Sequence, residues 1–203
     1  MISAAVRVPR AMERAWFDRP AAALAPDLLG ARLVHDSADG CVGGRIVEVE
    51  AYQGPEDLAA HSARGQTARN AVMFGQPGHL YVYLIYGLHH CLNVVAGPGD
   101  KPEAVLIRAL EIDEGVTLAR HRRGERAPDH RLAAGPGNVG QALGVDRTLN
   151  GTDLLAGPVR LQPREGPMPP IQRGPRIGVD YAADWAASPL RFWIADDRHR
   201  SRR

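Results

Sequence analysis

The segment Arg45-Ile-Val-Glu-Val-Glu-Ala-Tyr52 carries residue types suited to proton transfer. A strand's period of two puts Glu48, Glu50 and Tyr52 on one face and Val47, Val49 and Ala51 on the other. The valines would then meet a core and the carboxylates a cleft, where an acid side chain can take a proton from water. A solvated strand face would give the same alternation, and the tyrosine beside the pair adds only a little to the functional reading. A second run, His79-Leu-Tyr-Val-Tyr-Leu-Ile-Tyr86, places Tyr81 and Tyr83 on a common face and Tyr86 at the Gly87 turn. Ordinary aromatic packing accounts for Tyr81. A ring at a turn projects outward and can enter a base stack that a buried ring cannot reach.

Other clusters resemble sites by composition only. Gly135-Pro-Gly-Asn-Val-Gly140 fits GxGxxG, but no convincing strand precedes it and a proline interrupts the turn, so it reads as a helix-capping loop that could still touch a phosphate. His89, His90 and Cys91 are metal ligands in type, yet neighbours on a strand point to opposite faces and no second pair has zinc spacing. Glu48, Glu50, Glu56 and Asp57 could hold magnesium in a nuclease, although no lysine stands near them.

These residues need elements to hold them. Pro20 to Leu29 favours helix and stops at Gly30; Ala31 to His35 reads as a strand closed by the Asp39-Gly40 turn. Gly44 to Tyr52 is the strongest early strand, broken by Gly54-Pro55, and His61 to Gly78 is mostly loop. His79 to Tyr86, Cys91 to Val95 and Ala104 to Leu110 read as strands, Glu111 to His121 as helix, and the arginine-rich stretch to Arg131 as a solvated loop. Val139 to Leu143 reads as helix; Val159 to Leu161, Arg176 to Val179 and Leu190 to Ile194 read as strands; Arg198 to Arg203 reads as a disordered tail. Together they predict one α+β domain with a mainly antiparallel, curved sheet and surrounding helices.

A chain of 203 residues with 44% hydrophobic content buries the core of a single domain. No apolar run spans a bilayer, and no early segment has the layout of a signal peptide, so a cytoplasmic protein is expected. Cys41 and Cys91 read as free buried thiols. Net charge is +2, and Lys101 is the sole lysine. The arginine bias suits phosphate contacts, but codon bias explains it equally well.

Taken in order, Glu48-Val-Glu-Ala-Tyr-Gln-Gly-Pro-Glu-Asp-Leu-Ala-Ala-His61, Gln66-Thr-Ala-Arg-Asn70, Met73-Phe74, the tyrosine strand through Gly87, Asn93 and Arg108-Ala-Leu-Glu111 resemble the signature of the alkyladenine (3-methyladenine) DNA glycosylase family. The likeness continues through Gly135-Pro136, Gln141-Ala-Leu143, Arg176-Ile-Gly-Val179, Trp185 and Pro189-Leu-Arg-Phe192. No single motif is specific; the ordered series is. The resemblance implies that Glu50 is the general base that activates water and that Arg108 helps hold water and carboxylate. It implies that Tyr52, His61 and Tyr83 wall a flipped base, that Asn93 lies against the purine's minor-groove edge, and that Tyr86 inserts into the duplex with Leu88 beside it. Leu88 stands where many relatives have methionine, and His89-His90 stand where bulkier aromatics are common.

The chemistry agrees with these roles. A base must leave the stack before its glycosidic bond can be attacked, and damage lowers that cost. Alkylated purines are cationic, and tyrosine faces attract them. Without a lysine near the motif, water is the expected nucleophile and an abasic site the product. The resulting expectation is a monomeric, cofactor-free and metal-free enzyme of damaged double-stranded DNA, with no membrane association and nucleoid-bound when on DNA. Residues 1–19 would form an extension, 20–197 the glycosylase domain and 198–203 a basic tail. A non-catalytic binder of distorted DNA, using Tyr86 as a wedge, is the alternative outside enzymes.

Overall fold

The computed structural model describes residues 12–97 and 101–201. Helix α1 (Arg14–Phe17) leads into α2 (Ala21–Leu28), which buries Ala21, Leu24, Ala25 and Leu28 along one stripe of helical spacing. Each such leucine, fully buried, contributes about 1.5–3 kcal/mol. Strands β1 (Arg32–Ser37) and β2 (Gly40–Tyr52) form a hairpin; β3 (Leu80–Ile85) and β4 (His89–Ala96) form a second. Strand β5 (Glu103–Glu114) is followed by α3 (Val116–Arg123), the two-residue β6 (Ala133–Ala134) and α4 (Pro136–Leu143). Strands β7 (Val159–Gln162), β8 (Ile171–Gly174) and β9 (Arg191–Ile194) complete one antiparallel sheet of nine strands. Its main path is β3-β4-β5-β2-β1-β7, with β6 on β5, β9 on β2 and β8 on β9. This is the expected α+β domain.

The period of two divides the sheet's faces. Val47, Val49 and Ala51 of β2, Leu80 and Val82 of β3, Leu92 and Val94 of β4, and Val105, Ile107 and Ala109 of β5 all enter the main core. The opposite face of the same strands carries Tyr52, Tyr81, Tyr83, Cys91, Asn93, Leu106 and Arg108, which line a pocket. Of the three register shifts in the β2–β5 ladder, two are staggered bulges beside the carboxylates. Val47 has no partner between the Ile46–Leu110 and Glu48–Ala109 pairs, and Arg108 has none between Glu48–Ala109 and Val49–Ile107. Bulges bend strands and re-aim side chains, and this pair brings Arg108 against the β2 carboxylates.

Four expectations differ from the structure. Glu111 to Glu114 continue β5 rather than starting a helix, because Gly43 to Arg45 extend the ladder that far. The helix begins only after Gly115, where φ is +66° and a Cβ would lie 2.1 Å from the Cys41 carbonyl oxygen, so no side chain is admitted. Arg176 to Val179 form no strand, since the Ile177 N–H is taken by a carboxylate instead of a neighbouring strand. The arginine-rich stretch is not simply solvated: Arg122 donates to the Leu143 carbonyl and Arg123 to that of Leu132. Finally, the tail is folded as far as Ser201, with His199 and Ser201 buried; Arg202 and Arg203, like residues 1–11 of the extension, lie outside the described residues.

Candidate active site

Glu50 is 0% exposed, so the solvated-face reading of β2 does not hold. Its Oε1 accepts the Ile177 N–H at 2.8 Å and faces Arg108 Nη1 at 3.2 Å. Its Oε2 accepts the Tyr52 hydroxyl at 2.9 Å. Burial and the Glu50 charge push the Tyr52 hydroxyl well above the ordinary tyrosine range, so Tyr52 keeps its proton and is the donor. Burial disfavours charge on Arg108, but Glu50 and Glu48 more than offset it and hold the guanidinium above its usual value.

These partners of Glu50, namely Tyr52, Arg108 and Ile177, line a pocket of about 300 Å³, and the carboxylate lies immediately behind them. The His61 ring meets Tyr83 edge-on at 4.5 Å between centroids, and its Nδ1 is 2.9 Å from the Tyr81 hydroxyl. Burial and nearby Arg69 pull His61 down to about 4, while burial raises Tyr81 to about 12 and Tyr83 further still. The walls are thus neutral aromatics near pH 7. Asn70 Nδ2 fixes the His61 carbonyl at 2.9 Å, and Asn93 Nδ2 donates to the Tyr81 carbonyl at 3.2 Å, holding its amide on the pocket lining. Burial also raises the Cys91 thiol, which keeps it protonated and inert.

At the pocket's edge the β3–β4 hairpin turns through Tyr86 and Gly87, with φ of +54° and +68°. The Leu88 N–H closes on the Ile85 carbonyl at 3.1 Å, and two positive central φ values are the sign pattern of a type I′ turn. Tyr86 is 85% exposed and Leu88 76%, so the tip presents two large apolar side chains to solvent. Tyr86 is thus a non-glycine residue held at a strained positive φ on the pocket's lining.

The carboxylates that a magnesium nuclease would need do not assemble. Asp57, wholly buried, is clamped by the Arg176 guanidinium and accepts the Gln53 and Ala59 N–H groups. Glu48 faces Arg108 and Arg191, and Glu56 is exposed. Glu111, Asp197 and His199 bring ligand atoms within 4.8 Å of one another, but Arg45 already pairs with both acids.

Residues 15–198 match the family model for methylpurine-DNA glycosylase. The chain belongs to that family. A Streptomyces avermitilis protein provisionally named a 3-methyladenine DNA glycosylase is 50% identical over 202 residues, spanning 97% of this chain and 92% of its own. Proteins given the same provisional name in Methanocella arvoryzae and Myxococcus xanthus are 48% and 45% identical, covering 90% and 94% of this chain and 91% and 93% of their own.

For a methylpurine-DNA glycosylase family member, the structure brings Glu50, Arg108, Tyr52, His61, Tyr83 and Asn93 together around one pocket, with Tyr86 on its lining and Leu88 two residues along the same hairpin tip. Sequence reasoning missed the Ile177 amide, Tyr181 at the pocket mouth, and Tyr81 as the partner of His61. It also missed the Arg176–Asp57 pair, which ties the loop after β2 to the segment carrying Ile177 and stacks Arg176 4.7 Å over the Tyr52 ring. The paired tyrosines gave a signal for Tyr81; backbone donors such as Ile177 leave none.

Proposed function

We propose that this chain is a monofunctional purine DNA glycosylase of base excision repair, which flips alkylated or deaminated purines from duplex DNA and hydrolyses their N-glycosidic bond. The observation that carries this reading is a buried carboxylate, Glu50, held by Arg108 and Tyr52 behind a pocket of neutral aromatic rings, with an exposed tyrosine on a strained turn at its edge.

Tyr86, with Leu88 beside it, enters the base stack and fills the space the nucleotide leaves, offsetting part of the unstacking cost of a few kcal/mol. The extruded purine lies against Tyr52, His61 and Tyr83. A cationic alkylpurine gains about 0.5–2 kcal/mol from such faces, and the neutral imidazole of His61 adds no opposing charge. Asn93 meets the purine edge and crowds a base that carries an exocyclic amine there. As the bond from C1′ to the purine nitrogen lengthens, positive charge grows on the sugar, and Glu50 stabilises it. Water oxygen bonds to C1′, its proton passes to Glu50, and the purine leaves with the electron pair of the broken bond. A methylated cation leaves as a neutral molecule; a neutral purine must also receive a proton. Arg108 keeps the carboxylate aimed and offers a further donor to the water. The chain's only lysine, Lys101, does not line the pocket, so no amine there forms an imine with the sugar.

Duplexes carrying N3-methyladenine, N7-methylguanine or hypoxanthine test this. The expected result is free base and an intact strand that breaks only on alkali treatment, unchanged by EDTA and with no borohydride-trapped adduct. Tight duplex binding with no base released from any lesion would favour a binder of distorted DNA.

A further inference from the structure

The second carboxylate of β2 has no place in this scheme, yet it is nearly as buried as the first, at 1% exposed. Glu48 Oε2 accepts the Ser201 backbone N–H at 2.6 Å, and Oε1 accepts the Ser201 hydroxyl at 3.0 Å. The same hydroxyl accepts from Arg108 Nη2 at 3.4 Å, while Arg108 Nε lies 3.4 Å from Glu48 Oε1. Arg191 Nη1 approaches Glu48 Oε1 from β9, also at 3.4 Å. The Nε and Nη2 edge of the Arg108 guanidinium thus faces Glu48 and Ser201, and Nη1 points at Glu50 at 3.2 Å. Neither Glu48 nor Ser201 lines the base pocket; both line a separate cavity of about 680 Å³ with Arg191 and Trp193. Neither can touch the purine.

We infer that Glu48 and Ser201 form a latch by which the C-terminal segment aims Arg108 at Glu50, making both of them positioning residues for base excision. The inference rests on the proposed glycosylase reading. An arginine on a bulge, without a regular ladder partner, has a guanidinium with several rotatable bonds and needs a second anchor to hold one direction. Glu48 supplies a charge and Ser201 a hydroxyl that donates to Glu48 while accepting from Arg108. The chain end is therefore a working part of the site, although it lies 93 residues from Arg108 in sequence.

Single-turnover release of N7-methylguanine from a duplex separates the plateau rate from the protein concentration giving half that rate. Ser201→Ala should lower the plateau roughly fivefold, the scale of one ordinary hydrogen bond. Glu48→Gln should lower it more, on the order of thirtyfold, with half-saturation unchanged in both and Ser201→Thr restoring the rate. In an Arg108→Ala background neither substitution should slow release further, because both act through Arg108. If Glu48→Gln does not fold, Ser201→Ala alone and in that background decides. An active wild type with an unaffected Ser201→Ala plateau, or a Ser201→Ala loss that persists in full without Arg108, would overturn the latch alone. A wild type that releases no base would remove the glycosylase reading and the latch with it.

Discussion

The Tyr52 hydroxyl donates to Glu50 Oε2 across 2.9 Å, so one residue both walls the pocket and covers the carboxylate behind it. The two lie on the same face of β2, two residues apart, and the Arg176 guanidinium stacked on the far side of the ring holds the arrangement in place. Tyr52→Phe keeps the wall and removes the donor. Its loss should lower the single-turnover base-release rate roughly tenfold, the scale of one hydrogen bond to a charged group. The variant should also lose about 1–3 kcal/mol of stability from an under-satisfied buried acceptor. Single-turnover release from an N7-methylguanine duplex checks this; an unchanged rate would show that the hydroxyl does not act on Glu50.

Tyr86 sits at φ +54° before Gly87, in the turn position that asparagine fills best. Tyr86→Asn makes the turn Asn-Gly and relieves the strain, so stability should rise by about 1 kcal/mol, or roughly 2–4 °C in Tm for a domain of this size. Base release from duplex DNA should fall at least about tenfold, given the cost of unstacking without a wedge. A variant both more stable and fully active would contradict the wedge role.

His61 is held at about 4 against an ordinary 6.5, chiefly by burial and then by Arg69. A depressed histidine means that the unfolded chain binds more protons than the folded one between those values. Its contribution is present above about 6.5 and is lost as pH falls towards 4. Thermal denaturation of His61→Gln should therefore show a shallower decline than wild type from pH 7 to about 4.5. Parallel curves would show that His61 titrates normally.

Asp57→Ala leaves Arg176 charged and buried without its carboxylate, a loss of about 3–5 kcal/mol for a broken buried pair. Chemical denaturation measures it. Because the pair also anchors the segment bearing Ile177, activity measured well below the melting point should fall as well.

The alternation of β2 was legible because valines and carboxylates on one strand have few other arrangements, and the exposed turn position of Tyr86 was legible because it adjoins Gly87. The end of β5 was not. Glu111, Asp113 and Glu114 look like a polar helix start, but they stay in the strand, where Arg45 on the adjacent β2 and Arg32 on β1 beyond it pair with them. Local propensity yields there to partners distant in sequence. The Ser201 latch, the Ile177 amide and the Arg176–Asp57 pair were illegible for the same reason: each joins residues more than a hundred positions apart through contacts without a sequence period.

The most direct test of the account is Glu50→Gln in single turnover on an N7-methylguanine duplex, with binding measured on the same DNA. The amide keeps the shape and removes the base, so release should fall by at least about a hundredfold, the contribution of a general base, while duplex affinity stays within a few fold. Release at the wild-type rate by Glu50→Gln would contradict the account, because the water would then be activated elsewhere.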